Sequence, residues 1–295
     1  MDGVIVINKP KGKTSHDCVG FVRRLAGTRK VGHTGTLDPL ATGVLPICIG
    51  CATKASELLT CENKSYTAEL ILGKTTDTLD CEGTVLSEVP VDFDEEKIRE
   101  CIMSFTGKSE QLPPMYSAIK KDGKKLYELA RQGIIIERDR RKIEIYSIDI
   151  LDMNKENNSV TFSIDCSKGT YIRSLCDDIG AKLGCGGYMN TLTRTRSGNF
   201  TIDKSHTFEG LEELKEKGRL EEILIPVDEL FDYKKITVDD RQRGFIINGV
   251  RTRYKGLDEG SIYRVYDQNG NFLCISECVE ERLTLKKSFW GSLIG

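Results

Sequence analysis

Two runs of residues, 142–151 and 159–166, alternate apolar and polar side chains at the two-residue period of a pleated strand, and they read as neighbours in one sheet. A third run has the same period, with Tyr66, Ala68, Leu70 and Leu72 on one face and Thr67, Glu69 and Ile71 on the other. Helical patterns interrupt these strands irregularly. Cys18, Phe21, Val22 and Leu25 fall at i, i+3, i+4 and i+7, so residues 16–26 read as a helix with Ser15 as N-cap and Gly27 as stop. Further helices are expected over 52–60, over 94–105 (burying Ile98, Cys101, Ile102 and Phe105) and over 170–183 (burying Ile172, Leu175, Cys176, Ile179 and Leu183). Asp2 to Ile7 and Val44 to Ile49 suit short strands, the second with Pro46 near an edge. Hairpin-like pairs with scattered helices argue against a doubly wound sheet. They predict an α+β fold, a mixed, mostly antiparallel sheet flanked by helices.

The texture changes after the acidic helix-like segment 207–224 and Pro226. From about residue 234 short β-rich runs dominate, including Tyr263 to Tyr266 and Phe272 to Ile275 around Asp267-Gln268-Asn269-Gly270, where Asn-Gly signals a hairpin. The division expected is therefore a main domain over 1–232 and a small β-rich module over 233–295.

Several function classes are excluded early. No apolar run approaches the roughly 18 to 20 residues of a membrane span, and MDGVIVINKPKGKTS lacks the pattern of a secretory signal, so a cytoplasmic protein is expected. Eleven cysteines, an odd and scattered set, read as reduced thiols in a reducing compartment, not as a disulfide framework. Cys48 and Cys51 have CxxC spacing, but Cys274 and Cys278 are CxxxC and only His16, His33 and His206 are available, so no metal site is expected. Neither a Walker loop nor a dinucleotide fingerprint occurs, and no cofactor is expected.

The net charge of −2 hides a strong asymmetry. Lys9 to Lys30 carries seven bases and one acid, and Met115 to Lys142 nine bases and four acids. Asp77 to Glu110 has ten acids against three bases, and Asp203 to Asp232 ten against four. Local basic surfaces on a nearly neutral chain suit a polyanion gripped in one place. Between the first basic run and an apolar stretch lies VGHTGTLDPLATGVLPICIG, residues 31–50, with a single acid, Asp38. An acid before proline ordinarily caps a turn. Here Gly32, Gly35 and Gly43 allow close approach of a bulky ligand, and Pro39 biases Asp38 to an extended backbone, which suits a carboxylate presented at a fixed angle.

The stretch Gly32-His33-x-Gly35-Thr36-Leu37-Asp38-Pro39-x-Ala41-Thr42-Gly43-Val44-Leu45 resembles the catalytic motif of the tRNA pseudouridine-55 synthase (TruB) family. Four more motifs of that family stand in order: Asn8-Lys9-Pro10-x-Gly12-x-Thr14-Ser15; Gln111-x-Pro113-Pro114-x-Tyr116-Ser117-Ala118-x-Lys120; Lys168-Gly169-Thr170-Tyr171-Ile172-Arg173-Ser174-Leu175; and Leu192-x-Arg194-Thr195-x-Ser197-Gly198-x-Phe200. Together they span residues 7–200, about two thirds of the chain.

The resemblance implies a pseudouridine-synthase-type sheet, with a PUA-like RNA-binding module as the tail. It also implies conversion of uridine 55 of the tRNA T-loop to pseudouridine, a redox-neutral isomerisation. Asp38 takes the place of the family's nucleophile, Arg173 that of its arginine partner, and Tyr66 that of the tyrosine stacked on the target base. Tyr171 and Leu192 match the uridine pocket, and Lys9 with Pro10 a pair beside it. The target base must be extruded, and His33 matches the histidine that fills the vacated stack. Residues 110–142 match the thumb insertion, which would hold the RNA through Lys120, Arg131 and Arg141 among other cations, with Tyr116 and Tyr127 between them. Arg241, Arg243, Arg251, Arg253 and Lys255 would meet the acceptor stem. Thr193 and Asn199 depart from the family's usual arginine and proline, which bears on the RNA rim and not on the chemistry. A monomer without an obligate protein partner is expected. The alternatives are the RNA-guided subunit of box H/ACA particles, against which the Gln111 to Arg131 insertion argues; a tRNA-folding factor; and a hydrolase, which leaves the basic segments unexplained.

Overall fold

The structure, a computed structural model, describes residues 1–121 and 123–290. The chain opens with strand β1 (Gly3–Lys9) and helix α1 (Ser15–Ala26). Thr14, not Ser15, caps α1. Its hydroxyl accepts from Asp17 N at 3.0 Å while the Asp17 carboxylate accepts from Thr14 N at 2.8 Å. Gly27, left-handed at φ 63°, ends the helix. Strands β2 (Val31–His33) and β3 (Thr42–Ile49) follow, then a 3₁₀ turn, the short helix α2 (Ser56–Thr60) and β4 (Lys64–Leu72). A side hairpin, β5 (Lys74–Thr76) and β6 (Val85–Glu88), leads to helix α3 (Glu95–Met103) and strand β7 (Gly107–Gln111). The basic segment holds the two-residue strands β8 (Lys120–Lys121) and β9 (Lys124–Lys125) and helix α4 (Leu126–Ala130). Then come β10 (Arg141–Asn154), β11 (Ser159–Cys166), α5 (Ile172–Leu183), β12 (Gly187–Ser197), β13 (Phe200–Thr201) and α6 (Phe208–Glu216).

One sheet orders these strands β1-β3-β12-β4-β11-β10-β7, with β2 also on β3 and β13 also on β12. All pairs are antiparallel except β3 with β12, so the sheet is mixed and mostly antiparallel. Pro46 lies in the interior of this sheet and not at its edge. Its carbonyl accepts from Thr34 N at 3.1 Å, on the side away from β1, so the missing N–H lies on that side too and the pairing with β1 is untouched.

The two faces of β1 and β3 bury different partners, as a period of two requires. Ile5, Ile7, Leu45 and Ile47 join a core with Phe21, Val22, Leu175 and Ile179 from α1 and α5. Val4, Val6, Val44 and Cys48 join Phe231, Ile275 and Phe289 from the C-terminal part. That part is a second sheet of β14 (Lys234–Thr237), β15 (Thr252–Arg253), β16 (Ile262–Tyr266), β17 (Phe272–Val279) and β18 (Arg282–Ser288), ordered β14-β16-β17-β18-β15, with helix α7 (Asp240–Ile247). The Asp267–Gly270 turn joins β16 to β17, its amides at Asn269 and Asn271 donating to the Asp267 carboxylate. A small core of its own (Val238, Ile246, Val265, Leu273, Leu283) backs the module. The expected acidic helix over 207–224 is shorter: α6 stops at Glu216, and Gly218 at φ 68° breaks it.

Candidate active site

Asp38 lies on the loop between β2 and β3, and that loop is fastened on both sides of it. Ser15, freed from capping, donates its hydroxyl to Leu37 O at 3.0 Å and accepts from Leu37 N at 2.8 Å. Lys9, fully buried, spreads its ammonium over the carbonyls of Pro10, Lys13 and Pro39 at 3.0, 2.7 and 3.1 Å. The carbonyl of Pro39 also accepts from Gly12 N at 2.8 Å. Lys9, with no exposed surface in the free protein, therefore serves the scaffold of the Asp38 loop, beside the uridine pocket and not as part of its exposed lining.

Arg173, in the first turn of α5, meets Asp38 Oδ2 through Nε at 3.1 Å and Asp80 Oδ2 through Nη1 at 3.2 Å. The guanidinium also donates to Thr78 O at 3.0 Å and Tyr116 O at 2.7 Å. A cation at a helix N-terminus opposes the helix dipole, and the two carboxylates offset that. The fork is planar and its partners fix it, so Asp38 meets a guanidinium of one orientation. Burial pushes the Asp38 carboxyl above the ordinary carboxylate range; Arg173 and Lys9 pull against this and Asp80 adds to it.

Two cavities meet at Asp38. The first, about 490 Å³, is lined by Asp38, Tyr66, Tyr171, Leu192, Lys120, Arg141 and Arg173, with Lys64 and Arg194 at its base. Tyr66 and Leu192 are nearly buried, on neighbouring strands, and burial pushes the Tyr66 hydroxyl up to about 12. Tyr171 is half-buried, its backbone held by a reciprocal pair of bonds with the Gln111 side-chain amide at 2.8 and 2.9 Å. The second cavity, about 630 Å³, lies on the other side of Asp38 and is lined by His33, Asp80, Tyr127, Lys125 and Arg131. His33 and Arg131 thus stand apart from Tyr66, Tyr171, Leu192, Lys120 and Arg141. His33 is half-buried, its Nδ1 has no hydrogen-bond partner among the described residues, and burial lowers its pKa, so it is a neutral ring near pH 7. Tyr127 has Lys125 Nζ and Arg131 Cζ at 5.3 and 5.5 Å from its ring centre.

Sequence reasoning gave no role to Asp80 or to Arg194. Asp80 sits in an acidic run that reads as a solvated face. Its burial arises from Leu79 at φ 64° and from a bridge of residue 80 to Met189, neither of which leaves a local signal. Arg194 did leave one: it falls in phase with Leu192, the position of a buried side chain.

A carboxylate held by a buried arginine where two cation-lined cavities meet, on a mixed sheet, suits an isomerase that works on RNA. A family model described as TruB family pseudouridylate synthase (N-terminal domain) matches residues 23–172, and one described as tRNA pseudouridylate synthase B C-terminal domain matches residues 173–232. The chain belongs to the TruB family of pseudouridylate synthases. Among its relatives, a tRNA pseudouridine synthase B of Clostridium kluyveri is 47% identical over 294 residues, 98% of this chain and 100% of that one. A protein of the same name from Alkaliphilus oremlandii is 51% identical over 276 residues, 93% and 89% of the two chains. A chain of the archaeal box H/ACA sRNP Nop10–Cbf5 complex shares the fold at a TM-score of 0.71 and 25% identity, over 97% of this chain and 86% of that one.

Proposed function

We propose that this protein isomerises uridine 55 in the T-loop of tRNA to pseudouridine, with Asp38 as nucleophile. The observation that carries this reading is the Asp38–Arg173 pair at the junction of two cavities, each large enough for part of an extruded nucleotide. The flipped uridine enters the first cavity, its base between Tyr66 and the apolar edge of Leu192, with Tyr171 closing the side. Arg173 keeps Asp38 ionised and aims one oxygen at the nucleoside. The neutral ring of His33 faces the second cavity, where it takes the place the base left in the stack. Lys120 and Arg141 at the mouth of the first cavity, and Arg131 in the second, meet backbone phosphates.

Residues 1–232 form the catalytic unit and 233–295 the RNA-binding module. Within that module Arg241, Arg251 and Arg253 surround a cleft of about 380 Å³ with Arg282, and they meet the acceptor stem. Arg243 is already turned toward Asp267 at 3.7 Å. The protein acts as a monomer and resides in the cytoplasm; eleven free thiols support the second part of that reading, and no described helix is long and apolar enough to cross a membrane.

Unmodified tRNA carrying tritium at uridine C5 tests this. The protein alone releases label, and release that depends on added guide RNA and partner proteins would move it to the guided class. Binding without release would make it a tRNA-folding factor, a reading that the exposed cations of the thumb also support.

A further inference from the structure

Two buried cations lie at the base of the first cavity without a carboxylate. Arg194, 1% exposed, faces Tyr66 across the β4–β12 pair and donates to Val44 O at 2.7 Å and Gly35 O at 3.2 Å. Lys64, 6% exposed, stands two residues before Tyr66 on the same face of β4 and donates to the carbonyls of Thr60, at 2.8 Å, and Glu62. Among the described residues neither makes an ion pair, whereas Arg173 sits on two carboxylates. A buried charge met by carbonyl dipoles and, at Arg194, by the Tyr66 hydroxyl, with no carboxylate on it, opposes folding, and a neutral side chain would brace the strands at lower cost. Lys120 and Arg141 are exposed at the mouth of the same cavity, where phosphates pass. Lys64 and Arg194 lie deeper, against the tyrosine. Positive potential concentrated there suits an anion present only during the reaction.

On the route in which Asp38 attacks the sugar, the isomerisation makes such an anion. As Asp38 bonds to C1′, the N1–C1′ bond breaks and its electron pair stays on uracil, spread over N1, O2 and O4. After the ring turns, C5 attacks C1′ and displaces the Asp38 carboxylate. The C5 proton leaves to solvent and N1 takes one up, so atoms and charge balance without an oxidant or reductant.

We propose that Lys64 and Arg194 form an electrostatic floor that stabilises the uracil anion released when the glycosidic bond breaks. Lys64 faces the base directly; Arg194 acts through Tyr66 and is a positioning residue. The proposal rests on the first cavity being the uridine pocket. Burial and the neighbouring Arg194 bring the Lys64 ammonium down to about 8, with Glu62, Cys166 and Cys61 opposing, so its charge is lost as pH rises through that value.

Single-turnover tritium release from saturating tRNA tests the floor in wild type, Lys64→Met and Lys64→Arg. We expect Lys64→Met to be about tenfold slower or more, with the tRNA dissociation constant within about twofold of wild type. Lys64→Arg restores most of the rate and loses the decline that wild type shows above about pH 8. On tRNA carrying 5-fluorouridine at the target, followed by loss of the starting nucleoside, fluorine stabilises the anion itself, so the Lys64→Met deficit shrinks to about threefold. An unchanged rate in Lys64→Met, a deficit confined to tRNA affinity, or an equal deficit on both substrates would overturn the proposal. Should Lys64→Met fail to fold, the alkaline limb of wild type against Lys64→Arg decides alone; a limb present in both sinks it. No release by wild type itself would fault the pseudouridine reading instead.

Discussion

The base of the cleft and its rim both carry cations, held in opposite ways. At the base Arg173 and Arg194 are 5% and 1% exposed, and each guanidinium is tied to several fixed partners: two carboxylates and two carbonyls for Arg173, two carbonyls for Arg194. On the rim, Lys120, Lys124 and Arg131 are exposed on two-residue strands or at the end of a five-residue helix. Some rim cations hold the thumb itself, Arg138 to Pro113 O at 2.9 Å and Arg140 to Glu110 O at 3.1 Å. The base spends its charge on geometry that is complete before RNA arrives. The rim keeps charge free for a polyanion, which it meets one phosphate at a time. Substitutions at the base should therefore change turnover, and those at the rim affinity.

Asp38→Asn tests the base most severely. It keeps shape and the Arg173 contact but removes the nucleophilic charge, and tritium release should fall by at least about a thousandfold while tRNA still binds. Residual release above that level, with deamidation excluded by mass, would remove Asp38 from the nucleophile's role. Arg173→Met comes next, with an expected loss in kcat of about a hundredfold. It also carries a pH signature. Burial already holds the Asp38 carboxyl above its ordinary range and Arg173 opposes that, so removing the guanidinium raises it further. Because the ionised form acts, the acid limb of the rate profile should move to higher pH; a limb that stays put would mean that Asp38 does not titrate in the profile.

Gly43→Ala probes the same base through packing. Gly43 has φ 99°, and a Cβ there would lie 2.3 Å from Arg194 O on the parallel neighbour β12. Strain plus the clash should cost about 3 kcal/mol, read as a lower urea midpoint with an unchanged m-value. A loss under about 1 kcal/mol would show that β3 can part from β12 and that Arg194 is less firmly seated than its contacts imply.

Legibility in the sequence followed the same division. Strand β11 was readable to the residue at its C-terminal end because Val160, Phe162 and Ile164 alternate with polar residues, and β4 because Tyr66 to Leu72 does. Helix α7 escaped notice since its capping box, Asp239 with Gln242, precedes a stretch with little apolar periodicity. Asp38 stood out because Gly, Thr and Pro residues surround one acid. Its setting did not: Asp80 reaches Arg173 across 93 residues of chain, and Ser15 reaches Leu37 across 22. Such contacts depend on where strands come to rest, and the alternation that reveals a strand does not reveal its neighbour. Lys9 shows the same limit from the other side. The Asn8-Lys9-Pro10 motif places Lys9 beside the pocket, and only the three carbonyls on its ammonium show what it holds there.

The rim gives the smallest effects and the sharpest contrast. Lys120→Ala or Arg141→Ala should raise KM for tRNA about two- to fivefold and leave kcat within about twofold, since each removes one phosphate contact and neither touches Asp38. The salt dependence carries the diagnosis. Each lost contact should reduce the slope of log KM against log salt by about 0.7 to 0.9, and the double variant by twice that, because separate phosphates release separate counterions. At the base, Arg173→Met should leave that slope unaltered. A salt slope that falls equally for Arg173→Met and Arg141→Ala would mean that the base, too, grips the backbone, and the distinction between the two regions would fail.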